Sequence, residues 1–243
     1  MSDTQPFRFG RILLTVALAL VAGGAGAAAW DFSGLGNAGR DDATREWLIE
    51  NPEILRDMAS ALQAKETGAR IGPLRGKLEA GYPGAVLGNP KGKLTLVEFS
   101  DYACGYCRAS LPDVVALLAA NPDLKVVVQE FPILTPESAD AARMALAAAD
   151  QGKYEAFHNA MYAAGRPGPE TIAQAAKQAG LDLAAARTAI KSGKYESELA
   201  GSHALAEELG FNGTPSWVIG NEAFSGAVGS AELNAAVLRA RQG

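Results

Sequence analysis

Cys104-Gly105-Tyr106-Cys107 contains both cysteines of this 243-residue chain. Before it, Lys93 to Phe99 alternates and is rich in branched and aromatic residues, the pattern of a partly buried strand. After it, Arg108 to Ala120 carries Leu111, Val114, Val115 and Leu118 at the three-to-four spacing of a helix face. The first cysteine therefore falls at a helix N-terminus, where unpaired backbone N–H groups and the helix dipole favour a thiolate. A thiolate is the nucleophile of disulfide exchange, and the second cysteine is placed to resolve the mixed disulfide. Types and spacing together describe a redox site.

Other chemistries fit less well. A structural disulfide across four adjacent residues removes little chain entropy. A zinc site needs two further ligands, and besides carboxylates the chain offers only His158 and His203, far apart and without zinc-finger spacing. Both histidines fall within helical stretches and read as packing or surface residues. Two idle thiols would be out of place in an exported protein.

The composition is that of a globular protein, with 48% hydrophobic and 20% charged residues. A net charge of −5 without a basic stripe gives no basis for nucleic-acid binding. Residues 1–30 read as a targeting segment. Arg8 and Arg11 form a positive flank, Ile12 to Val21 is apolar, and small residues follow from Ala22 to Ala29. Ala27-Ala28-Ala29 suits cleavage before Trp30, yet the charge-free run is also nearly long enough for a membrane anchor. Either reading puts the remainder outside the inner membrane, in a compartment that permits disulfides.

Elements to position the cysteines can be read along the rest. Asp31 to Arg40 is a Gly-rich linker. Asp41 to Glu66 is helical, with one helix ending near Glu50 and another capped by Asn51 and begun at Pro52. Trp47, Leu48, Ile54, Leu55, Met58, Ala61 and Leu62 form an apolar stripe that must pack on something, either the main domain or a second copy. The glycines and prolines from Gly68 to Gly84 separate it from the main domain and favour a second copy. Beyond Gly88, the pattern is strand, helix, strand (Leu124 to Phe131), then a helical block over about 136–210 with Gly or Pro at each break. A hairpin, Ser216 to Ile219 and Ala223 to Ser225, precedes a last helix from Ala231 to Arg239, capped by Ser230. This order predicts an α/β fold: a four-stranded mixed sheet with one parallel crossover and an inserted helical subdomain. The organisation is then 1–30 leader or anchor, 31–87 linker and helical extension, and 88–243 the main domain.

Three blocks in this order carry a resemblance. They are Val97-Glu98-Phe99 ahead of the cysteines, Glu130-Phe131-Pro132-Ile133-Leu134, and Gly213-Thr214-Pro215. From Gly88 to Arg241 the chain resembles the DsbA-like thiol-disulfide oxidoreductases, thioredoxin-fold proteins with an inserted helical domain. The resemblance implies that Cys104 is an exposed nucleophile and Cys107 a buried resolving thiol, the two forming the redox-active disulfide. It implies that Thr214-Pro215 is a cis-proline loop that faces the site and binds extended substrate, with Gly105 and Tyr106 beside it. Glu98 stands where such proteins keep a buried acid able to relay a proton; read alone, it could equally be a solvated carboxylate on a strand edge. Glu130 receives no role. The segment Leu48 to Leu55 resembles that preceding the catalytic domain in suppressor-of-copper-sensitivity proteins, some of which assemble through it and act as isomerases.

One departure matters. The strongest oxidants of the family have a histidine between the cysteines, and here Gly105-Tyr106 stand instead. The Cys104 pKa is then expected below the free value of about 8.5 but above the floor of about 3.5, which favours reshuffling over donation of disulfides. The expected protein is a periplasmic thiol-disulfide oxidoreductase (oxidase, isomerase or reductase) without cofactor or metal. Its partners would be unfolded or misoxidised envelope proteins, a membrane redox partner and, through residues 41–66, further copies of itself. The competing expectation is a peptide-binding envelope chaperone or scaffold whose disulfide is structural.

Overall fold

The computed structural model describes residues 7–32 and 35–242. They divide into two compact units, 1–61 and 62–243. The first contains α1 (Phe7–Phe32), α2 (Leu35–Glu50) and the start of α3 (Glu53–Ala80). Within α1, the window Leu13–Trp30 has a mean hydropathy of 1.9 and is long and apolar enough to cross a membrane. The side chains of Arg8 and Arg11 lie outside the described residues, as do positions 33–34 of the expected linker. The rest of that linker from Leu35 onward is helical. Asn51, expected to cap the second helix, instead closes the first: its N–H and its side-chain amide both donate to the Trp47 carbonyl, the side-chain bond at 2.8 Å. Trp47, Ile49, Leu55, Met58 and Leu62 are exposed.

The second unit is built on a sheet of five strands, not the expected four. It comprises β1 (Val86–Gly88), β2 (Leu94–Ser100), β3 (Leu124–Glu130), β4 (Ser216–Ile219) and β5 (Glu222–Ser225), in spatial order β1-β3-β2-β4-β5. The extra strand, β1, is three residues long and pairs antiparallel with β3; so short a run shows no alternation to read. β2 and β3 are parallel, joined through α4 (Gly105–Ala120), while β4 and β5 form an antiparallel hairpin beside β2. α5 (Pro136–Asp150), α6 (Tyr154–Ala164), α7 (Pro169–Gln178), α8 (Leu183–Lys191) and α9 (Glu196–Leu209) form the insertion, and α10 (Gly229–Ala240) closes the chain. Thr135 caps α5 by accepting from Ser138 N–H. Ser230 caps nothing and lies inside α10.

β2 is central rather than half-buried, because both of its faces are covered. On one face Leu96, Val126, Val128, Trp217 and Ile219 pack with Cys104, Cys107, Val114, Leu117 and the inserted helices. On the other, Val97, Phe99 and Val218 pack against Ile71, Leu74 and Leu78 of α3 and Leu205, Leu209 and Phe211. This second layer explains why α3 runs unbroken through Gly68, Gly72, Pro73 and Gly76, where a break was expected. Each helical glycine costs about 1 kcal/mol relative to alanine, and burial of three large aliphatic side chains at about 1.5–3 kcal/mol each offsets that.

Candidate redox site

α4 begins earlier than its apolar spacing suggested, at Gly105, and this puts Cys104 at the N-cap position with extended backbone (φ −77°, ψ 119°). Its N–H donates to the Asp101 carbonyl, and its own carbonyl accepts from Arg108 N–H, starting the helix. The Cys104 thiol points across the chain to the Thr214 carbonyl at 3.2 Å, which brings together residues 110 positions apart in sequence. Both cysteines are free thiols.

The two sulfurs have opposite surroundings. Cys104 is lowered to a pKa of about 5, first by the hydrogen bond from the Cys107 thiol. The Thr214 side chain and the N–H groups of Cys107 and Tyr106 add to this, and together they outweigh the opposing cost of burial. The Thr214 hydroxyl is buried and, among the described residues, makes no hydrogen bond of its own. Cys107 is pushed up by burial, by its hydrogen bond to Cys104 and by the charge of Glu98. Cys104 is less open than expected: it keeps 5% of its surface and Cys107 none. The Thr214 carbonyl lies against its sulfur, whereas Tyr106 beside it is 70% exposed and Gly105 is also exposed.

Sequence comparison decides the family. A model of the DSBA-like thioredoxin domain matches residues 95–237, more than half of the chain. The chain belongs to the DSBA-like thioredoxin domain family. Its solved relatives include a thioredoxin-like oxidoreductase from Silicibacter pomeroyi (42% identity, 70% of this chain and 98% of that one, TM-score 0.66). The thiol-disulfide exchange protein alpha-DsbA2 of Wolbachia pipientis is similar over 73% of this chain and 97% of that one, at 30% identity and TM-score 0.67. A linker-deleted ScsC of Proteus mirabilis is similar over 82% of this chain and 92% of that one (26% identity, TM-score 0.62). Among curated sequences, a Na(+)/H(+) antiporter, NhaA 3 of Salinispora tropica, is 26% identical over 80% of this chain, which spans only 30% of that protein's length.

The DSBA-like domain positions the remaining candidate residues by register. Thr214-Pro215 is a cis peptide bond at the sulfur's edge of β4. Glu98, Ser100 and Glu130 share one face of the sheet: Glu98 and Ser100 alternate on β2, and Ser100 pairs with Glu130 on β3. Glu98 is buried rather than solvated, and burial pushes it up to about 7; Ser100 lowers it and the charge on Cys104 raises it. Glu130, pushed up to about 8 by burial, accepts hydrogen bonds from Tyr154 at 2.8 Å and Tyr102 at 3.2 Å. Tyr102 also meets His158 Nδ1 at 3.1 Å. His158 is fully buried, held neutral by desolvation with a pKa of about 3, and its Nε2 has no partner. His203 is exposed and stacks edge-on with Phe131 at 4.9 Å. Tyr162 hydrogen-bonds Ser100 Oγ at 2.7 Å and donates to the Asp101 carbonyl at 3.2 Å. Asp101, Ser100, Tyr102, Tyr154 and Tyr162 carry no signal in the sequence, because single polar residues inside a strand, a turn and a helix leave no pattern.

Proposed function

We propose that this protein is an exported thiol-disulfide oxidoreductase that exchanges disulfides with envelope proteins through Cys104 and Cys107. One observation carries the reading: an acidic sulfur at the start of α4 is hydrogen-bonded by a thiol that burial keeps protonated. In the reducing direction the Cys104 thiolate attacks a substrate disulfide, forming a mixed disulfide and releasing one substrate thiolate. Cys107 then gives its proton to the Glu98 carboxylate and attacks the Cys104 sulfur. The second substrate thiolate leaves, and the Cys104–Cys107 disulfide remains. Run backwards, the same steps oxidise a dithiol and leave both protein thiols reduced. Thr214 and Pro215 would line the substrate chain, with Gly105 and Tyr106 on the open side.

The apolar helix α1 and the similarity to a periplasmic thioredoxin-like protein of Salmonella enterica (27% identity) support placement in the periplasm, with residues 1–30 as leader or anchor. Residues 31–87 would form an extension and 88–243 the catalytic domain. The exposed apolar side chains of residues 41–66 support self-association, which would favour isomerase or reductase action over oxidation; a membrane redox partner would reset the pair. The test is direct. The Cys104→Ser protein should lose all turnover of a disulfide substrate, while Cys107→Ser should accumulate a mixed disulfide visible on non-reducing gels. Equal turnover by wild type and Cys104→Ser would remove the proposal.

A further inference from the structure

Asp101 takes no part in the exchange steps above, yet its hydrogen bonds brace the turn that carries Cys104. It is 1% exposed. One carboxylate oxygen accepts from Ala103 N–H at 2.7 Å, and the other accepts from Ile133 N–H at 2.8 Å and Leu134 N–H at 2.9 Å. Its main-chain carbonyl accepts from Cys104 N–H at 2.9 Å and from the Tyr162 hydroxyl at 3.2 Å. No cation reaches the carboxylate among the described residues, so the amide dipoles alone compensate its burial. A single side chain thus joins the turn that leads into α4 to the loop between β3 and α5.

We propose that Asp101 is a positioning residue of the redox site: its carboxylate fixes the turn that holds the Cys104 sulfur over the start of α4, and ties that turn to the Ile133–Leu134 loop. The inference rests on the exchange activity proposed above and deepens it. Only an acceptor with two oxygens can serve three amide donors from two segments. Asparagine has a single oxygen and would turn an NH2 group onto one of the donor sets. Serine can cap the Ala103 amide but cannot reach two further amides at once. When the turn loosens, the sulfur loses alignment with the Tyr106 and Cys107 amides, and its thiolate loses stabilisation. The titratable groups that act on Cys104, or on which it acts, are Cys107 of α4 and Glu98 of β2; Asp101 meets Cys107 through its backbone N–H, which both substitutions keep.

The experiment is the pH profile of Cys104 alkylation by iodoacetamide in the reduced full-length chain, with folding checked by circular dichroism. Asp101→Asn should raise the alkylation midpoint by about one unit or more, and slow exchange with a small disulfide at mildly acidic pH by about tenfold. Asp101→Ser should fold where asparagine does not, and should give a smaller rise. A stability loss with an unmoved midpoint, in either folded variant, overturns the positioning role and leaves Asp101 as a structural clamp. A wild-type midpoint at the free-cysteine value overturns the exchange reading instead, and this inference with it.

Discussion

The lip and the floor of the redox site lie one helical turn apart and do opposite things to a proton. At the lip, the start of α4, the Cys107 thiol first, then Thr214 and two backbone amides, stabilise the Cys104 thiolate and draw its proton off. At the floor, Cys107, Glu98 and Glu130 are buried on one face of the sheet, and burial holds all three protonated above their ordinary values. Hydrogen-bond donors aimed at an anion outweigh desolvation only where the donors are unpaired and directed, as at a helix end. On the sheet face the backbone groups are already used in the ladder, so desolvation wins. The contrast separates an acidic thiol from one held protonated, without any histidine between them.

After loss of either sulfur, removal of Glu98 should give the largest effect. Under the proposed exchange steps, Glu98→Gln takes away the group that receives the Cys107 proton, and it also removes the charge that raises Cys107. General-base assistance is worth about a hundredfold or more, and relief of the raised thiol returns part of it. The expected net result is resolution of a preformed mixed disulfide roughly ten times slower, measured by stopped-flow release of the substrate thiol. The rate should rise through the region near pH 7, where Glu98 ionises. An unchanged resolution rate would leave the floor acid without a part in proton transfer.

Lip and floor should also pull stability in opposite directions as pH changes. Between about 5 and its ordinary value of 9.0, Cys104 is deprotonated when folded and protonated when unfolded. The unfolded state then binds more protons, so the reduced protein gains stability as pH rises through that window. Glu98 has the opposite sign. Its folded value of about 7 exceeds its ordinary 4.5, so its contribution favours the fold at low pH and is lost as pH rises between the two. The oxidised protein has neither thiol to titrate and should show only the behaviour of the buried carboxyls Glu98 and Glu130. Denaturant midpoints of both redox forms, followed from acid to mildly alkaline pH, should therefore diverge, with the reduced form increasingly the more stable. Parallel curves would show that the lip does not stabilise a thiolate.

Legibility in the sequence follows the range of the interactions. Strand, turn and helix around Cys104 are local, so types and spacing sufficed to read that Cys104 begins a helix. Thr214 approaches the sulfur from the far side of the insertion, and no spacing encodes that; it entered only through the family resemblance. Glu98 could be read as buried or solvated, because a single strand does not reveal that both of its faces will be covered. The length of α3 is hidden for the same reason: Gly68, Gly72, Pro73 and Gly76 are local stop signals, and burial of Ile71, Leu74 and Leu78 overrides them. Asp101 and the tyrosines around Glu130 act through hydrogen bonds between distant segments, which composition and periodicity do not record.

The smallest change should come from the open side of the lip. Gly105 is the first residue of α4, it does not have the positive φ that alanine resists, and a Cβ built on it meets nothing within 4 Å. Gly105→Ala therefore reduces the freedom of the unfolded chain without a clash, and should stabilise the protein by about 0.5 kcal/mol. The Cys104 alkylation midpoint should stay where it is, because the amides that act on the sulfur are those of Tyr106 and Cys107. On the floor there is no such latitude, since Cys107 is fully buried and Glu98 nearly so. A chemical-denaturation curve and an alkylation profile on the one variant test both halves of the statement. If Gly105→Ala destabilised the fold or moved the midpoint, position 105 would belong to the packed part of the site, and the boundary between lip and floor would have to be redrawn below Tyr106.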